Sequence, residues 1–121
     1  TSAAGAPPAD AALNVDVTAC LFFNDRQAIG ALQRFAERGV EVPGDMSVVG
    51  SGDIFGADFC SPPLTTVYAP VEYAGRVAVD ILLDGLAPDV GRNSAPRREL
   101  LPTHLRIRAS TGPAPAAPRA P

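Results

Sequence analysis

Two short apolar runs with a helical stripe between them set the plan of this chain. The first run is TACLFF, Thr18–Phe23, and the second is MSVVG, Met46–Gly50. Each is too short for an ordinary helix and ends in polar or glycine residues, which predicts two buried strands. Between them, Asn24 or Asp25 is placed to cap a helix. Ala28, Ile29, Ala31, Leu32, Phe35 and Ala36 then share one helical face, and Gly39 follows as the stop. VEVPGD is a turn. Strand, helix and strand in that order call for a right-handed crossover between parallel strands. The expected class is α/β, built from parallel βαβ units.

The next segment, SPPLTTVYAP, continues the alternation. Pro62-Pro63 forces an extended lead-in, and Leu64–Tyr68 has the β-branched character of a strand. Pro70 suits the first turn of a following helix. Ala74, Val77, Ala78, Ile81 and Leu82 form its apolar stripe, and Gly85 ends it. PDVGRNSAPRR reads as a loop, and ELLPTHLRIRAST as a final extended segment. There Leu105 and Ile107 alternate with Arg106 and Arg108, which predicts one wet face. Residues 1–17 are small, Pro-containing and aperiodic, and residues 112–121 are Pro-rich. Both ends are expected to be disordered, leaving residues 18–111 for structure.

Charge and composition exclude several functions. Ten Lys and Arg against thirteen Asp and Glu give a net charge of −3. The densest cationic spot is Arg97-Arg98, too little to track a phosphate backbone, so the chain is not expected to bind DNA by itself. No apolar run reaches the roughly 18 residues of a membrane span. The N-terminal stretch lacks the charged and apolar regions of an export signal, which predicts a cytoplasmic protein. Cys20, Cys60 and His104 have neither disulfide nor metal-ligand spacing, so no metal or cofactor is expected. No nucleophile stands beside a base, so an enzyme is not expected. Cys20 reads as core, whereas Cys60 lies in a loop and is either structural or a reactive thiol.

The stretch VVGSGDIFG, Val48–Gly56, first suggests a phosphate-binding glycine turn. A dinucleotide loop needs Gly-x-Gly-x-x-Gly opening a helix, but Phe55 occupies the third glycine position. No helical stripe follows before Pro62, and no Gly-Lys-Ser/Thr is present. The glycines therefore read as a sharp turn at the carboxyl end of a strand. That end is still where open α/β sheets bind ligands. Two polar loops occupy it, Asn24-Asp25 and Ser51-Gly52-Asp53, and both suit a hydroxyl-rich or amide-bearing small molecule. The alternatives are structural: Asn24-Asp25 as a helix cap, Asp53 as an Asx-turn or cap.

Several signatures in order carry a resemblance. They are Asn24-Asp25 with Ala28-x-Gly30, Arg38-Gly39-x-x-x-Pro43, and Ser47-Val48-Val49-Gly50. Pro62-Pro63-Leu64-Thr65-Thr66-Val67 follows, then Leu101-Pro102-Thr103 before Ser110-Thr111. Over residues 18–111 the chain resembles the C-terminal part of the sensor region of the lactose-repressor/galactose-repressor (LacI/GalR) family. The resemblance implies part of a periplasmic-binding-protein-like (type I) sensor fold, two α/β lobes around a cleft. Residues 18–60 would lie in the C-terminal lobe, and the Leu64–Tyr68 strand would lead into the other.

It implies a small-molecule effector of the sugar or nucleobase class, a homodimer, and operator DNA reached only through a helix-turn-helix absent from this chain. By position, Asn24 and Asp25 match the family's effector-responsive pair. Gly52 stands where the family carries an effector-binding acid, and Ser51 or Asp53 are the candidate substitutes. The helix face Ala28–Phe35 and the loop Ile54–Cys60 match the dimer-contact region, or else are core and surface turn. The N-terminal lobe is largely missing, so apolar helix faces are expected to stand open. A periplasmic-type solute-binding protein of the same fold is the alternative.

Overall fold

In the computed structural model, which describes residues 5–86 and 95–116, seven elements follow one another. They are α1 (Ala6–Asn14), β1 (Ala19–Leu21), α2 (Asp25–Glu37), β2 (Ser47–Ser51), β3 (Thr65–Tyr68), α3 (Val71–Gly85) and β4 (His104–Arg106). Two units result, one from residues 5–68 with 104–116, the other from residues 69–86 with 95–103.

The first unit holds a four-stranded sheet in chain order, β1-β2-β3-β4. β1 pairs parallel with β2 (Cys20 opposite Val48), and β2 pairs parallel with β3 (Gly50 opposite Thr66). β3 therefore stays in this sheet, and the chain leaves it only after Tyr68. β4 lies within the segment read from sequence only as extended, and the structure supplies its direction. The chain returns at His104, directly opposite Tyr68, so it re-enters beside its own exit and must run antiparallel.

Helix α2 forms because its apolar residues recur at helical spacing and because Asn24 caps it. The Asn24 side chain, on extended backbone, accepts the Gln27 N–H at 2.9 Å. Gly39 follows at φ 69°, the left-handed conformation that ends helices. The inner face buries Ala28, Ala31, Leu32 and Phe35 in one core with Phe22, Met46, Val48, Ala57 and Leu64. Removing a side chain such as Phe35 from water contributes about 2–3 kcal/mol. The face Ala28–Phe35, offered above as a dimer contact, is thus core.

The disorder expected for residues 1–17 is corrected. Residues 1–4 lie outside the described residues, but Ala6–Asn14 form α1 against α2. Alanine favours helix, and the prolines fall in the first turn, where a missing N–H matters least. Ala9 and Ala12 are buried, and Asp10 receives two bonds from Arg34, Nε at 3.0 Å and Nη2 at 3.2 Å. The Arg34 hydrogen bond holds the Asp10 carboxyl below its ordinary pKa. Gly5 makes the contact possible, because a Cβ there would overlap Gln27 O, the Gly30 carbonyl carbon and Ala31 N. At the other end, Gly112 is tied to β2: its N–H donates to Ser47 Oγ at 3.1 Å. Residues 117–121 lie outside the described residues.

In the second unit, α3 starts after Pro70, carries an Arg76–Glu72 ion pair one turn apart, and has no buried residue. Val71, Tyr73, Val79, Leu82 and Leu83 are exposed. Arg97 reaches Asp84 at 2.8 Å and Glu99 at 3.1 Å. Of the expected loop PDVGRNSAPRR, residues 88–94 lie outside the described residues. No helix among the described residues is long and apolar enough to cross a membrane.

Candidate functional site

The parallel pairing of β1, β2 and β3 brings the loops after β1 and β2 to one edge of the sheet. Asp25 fastens them together. Its residue is fully buried, and both carboxylate oxygens are engaged. Thr66 Oγ1 donates to Oδ1 at 2.5 Å, and the Ile54 N–H donates to Oδ2 at 2.9 Å. Helix start, glycine loop and β3 thus meet on one side chain. Gly50 is required beneath it, since a Cβ there would overlap Asp25 Oδ1.

The glycine loop is closed to phosphate for a reason the motif could not give. The Gly52 N–H donates to Val67 O at 2.9 Å, the Asp53 N–H to Thr66 Oγ1 at 3.4 Å, and the Ile54 N–H to Asp25. Three successive amides turn inward, whereas an anion-binding nest needs them turned out. Gly52 sits at φ 126°, a conformation that side-chain-bearing residues rarely adopt. A Cβ there would stand 3.9 Å from Asp25 Oδ2, so an aspartate at this position would be strained and near a second carboxylate.

Asp53 adopts the left-handed conformation, φ 50°, which aspartate tolerates better than most residues. Two guanidinium groups hold it: Arg106 Nη1 at 2.5 Å and Arg108 Nη2 at 2.7 Å. Its side chain is only 8% exposed. Arg108 also donates to Leu64 O at 2.8 Å. Arg106 lies over the Tyr68 ring, 4.6 Å from its centre, and Tyr68 packs on His104 with ring centres 4.8 Å apart. The wet-face expectation for β4 is corrected by this clamp: Leu105 and Ile107 are exposed, and Arg108 is the better covered residue. Alternation in sequence carries no sign of which face a distant carboxylate will occupy.

Of the four sequence-predicted site residues, Asn24 and Ser51 are half-buried, and Asp25 and Asp53 are engaged by the protein itself. The Asn24 Nδ2 and Ser51 Oγ have no hydrogen-bond partner among the described residues. Thr66, Arg106 and Arg108 were not singled out as site residues. The Cys60 thiol donates to Ala57 O and Pro62 O, and burial pushes its pKa up, which disfavours a reactive thiolate. No group of three or more His, Cys, Asp or Glu among the described residues could hold a metal ion.

The family model of the periplasmic binding protein-like domain matches residues 2–111. The chain belongs to that family. Its relatives are LacI-type transcription regulators. It is 41% identical over 99 residues to the lactose operon repressor of Rhizobium radiobacter, covering 82% of this chain and 84% of that one. It is 45% identical over 67 residues to the transcriptional repressor PurR of Vibrio cholerae, covering 55% of this chain and 20% of that one. The chain thus spans about a fifth of the length of the PurR relative.

Among solved structures, it is similar to the lac repressor dimer bound to operator and the anti-inducer ONPF. The identity is 34% and the TM-score 0.73, over 88% of this chain and 37% of that one. It is also similar to the regulator CelR in complex with cellobiose, at 33% identity and TM-score 0.77, over 91% and 33%. The chain corresponds to part of a LacI-type effector-binding domain.

Proposed function

We propose that this chain contributes part of the effector cleft of a LacI-type transcription regulator. A small molecule of the sugar or nucleobase class would lie at the carboxyl ends of β1 and β2. One observation carries the reading: two polar loops meet there, fastened by Asp25, with the Asn24 Nδ2 and the Ser51 hydroxyl left without partners among the described residues while Asn24 Oδ1 caps α2. Asn24 and Ser51 contact the effector. Asp25 and Asp53 hold the loops in place. The cellobiose named in the CelR complex supports a sugar-like ligand by similarity.

Asn24→Ser tests the assignment without breaking the helix, because serine caps about as well as asparagine. Titration calorimetry with glucose, glucose 6-phosphate, cellobiose and guanine is expected to find a ligand. The variant is expected to lose roughly tenfold in affinity, one hydrogen bond, with its melting temperature unchanged. Unchanged affinity in the variant, or binding of none of the four, counts against the reading.

The regulator would act as a homodimer, as in the lac repressor structure, and in the cytoplasm, where operator DNA is. The exposed pair Phe55 and Phe59, in edge-to-face contact at 4.9 Å, is the dimer surface we favour. Operator DNA would be met by a helix-turn-helix outside these 121 residues. Coding DNA upstream of Thr1 is expected to encode one in frame or in a neighbouring frame. An export signal there would instead favour a solute-binding protein.

A further inference from the structure

We propose that β1 is a pairing edge for a second copy of this chain, the two β1 strands lying antiparallel about a two-fold axis at Leu21. β1 is the terminal strand of the sheet. Its inner side is bonded: the Ser47 N–H donates to Thr18 O at 2.8 Å, and the Phe22 N–H to Val49 O at 2.9 Å. Backbone groups point to alternate sides along a strand, so the N–H and C=O of Ala19 and Leu21 face away from β2. No strand of the described residues lies on that side. Ala19 is exposed, and Leu21 and Phe23 are 73% and 88% exposed.

Proteins ordinarily blunt such an edge with a lysine, a proline or a twist. TACLFF, residues 18–23, carries no charge, no proline and no glycine, the composition of a segment that adds strands. Its side chains divide by face. Phe22 and Val48 lie in the core, whereas Leu21 stands on the opposite face in register with Val49. That face continues through Ser51 and Val67 to Leu105, which is 50% exposed.

The edge is complementary to itself. A two-fold rotation about Leu21 sets the outward N–H and C=O of Leu21 against those of Leu21 in the second copy, a pair that exchanges two bonds. Ala19 of each copy then faces Phe23 of the other, a small residue opposite a ring. The same rotation brings the end carrying exposed Asp16 beside the end carrying exposed Arg26, so opposite charges meet at both ends. A parallel pairing would set Asp16 against Asp16 and would lack the closing two-fold.

The test is amide hydrogen exchange of the ¹⁵N-labelled chain carrying Phe55→Asp and Phe59→Asp, so that the aromatic surface does not contribute. The Leu21 N–H is expected to exchange at least about fivefold more slowly at about 1 mM than at about 20 μM. Leu21→Lys puts a charge on the edge, and Leu21→Pro removes an N–H that bonds nothing in the sheet. Each is expected to weaken self-association at least about tenfold in sedimentation equilibrium, with a dispersed, native spectrum. Phe23→Lys, outside the strand, serves the same purpose if either substitution at Leu21 unfolds the chain. A Leu21 N–H protected equally at both concentrations would place a segment of the same copy on the edge. One unprotected at both would leave the edge unpaired. Either result overturns the proposal, as does self-association that these substitutions leave unchanged.

Discussion

Asp25→Ala is expected to lower stability by about 2–4 kcal/mol, since the buried Thr66 hydroxyl and the part-buried Ile54 N–H lose their acceptor together. An orphaned buried donor costs about 1–3 kcal/mol, and hydrogen bonds to a charged group lie at the upper end. The loss would be a large share of the total stability of a small domain, about 5–15 kcal/mol. Urea unfolding followed by circular dichroism reads it as a lower midpoint at unchanged slope. Asp25→Asn keeps one acceptor oxygen and is expected to fall between wild type and alanine. If alanine costs less than about 1 kcal/mol, the carboxylate is not the fastening point of the two loops.

The second large effect concerns assembly. Phe55 is 93% exposed and Phe59 64% exposed, and the two rings pack on each other rather than into the core. Aromatic anchors of this kind carry about 2 kcal/mol or more of an interface. Phe55→Asp with Phe59→Asp is therefore expected to raise the dimer dissociation constant by at least about thirtyfold. Sedimentation equilibrium checks this directly. A variant with the same association constant as wild type would move the interface elsewhere, and a monomeric wild type would remove it. Folding is not at risk in this variant, because neither ring belongs to the buried core.

The legible part of the fold was local. The run Thr18–Phe23 contains β1, the stripe from Ala28 to Phe35 is the inner face of α2, and Asn24 caps it through a bond three residues away. These features depend on neighbours in the chain, so spacing and residue type report them. Helix α1 escaped because it buries itself with alanines. Such side chains leave little hydrophobic periodicity, and the contact depends on Gly5 letting two backbones approach. The direction of β4 escaped because it follows from where the chain re-enters the sheet, a fact that no residue of His104–Arg106 encodes.

The candidate site divides in the same way. From sequence alone came the strand–helix–strand plan, the two polar loops at one sheet edge, and the place of Gly52 between Ser51 and Asp53. Those follow from the two-residue and 3.6-residue periods and from the rule that parallel strands end together. Only the tertiary structure decided that both acids hold the protein together. Asp25 meets Thr66 across 41 residues, and Asp53 meets Arg106 and Arg108 across 53 and 55. Bonds between such distant groups form only once the sheet has closed. They turn two exposed-looking carboxylates inward and leave a guanidinium outside.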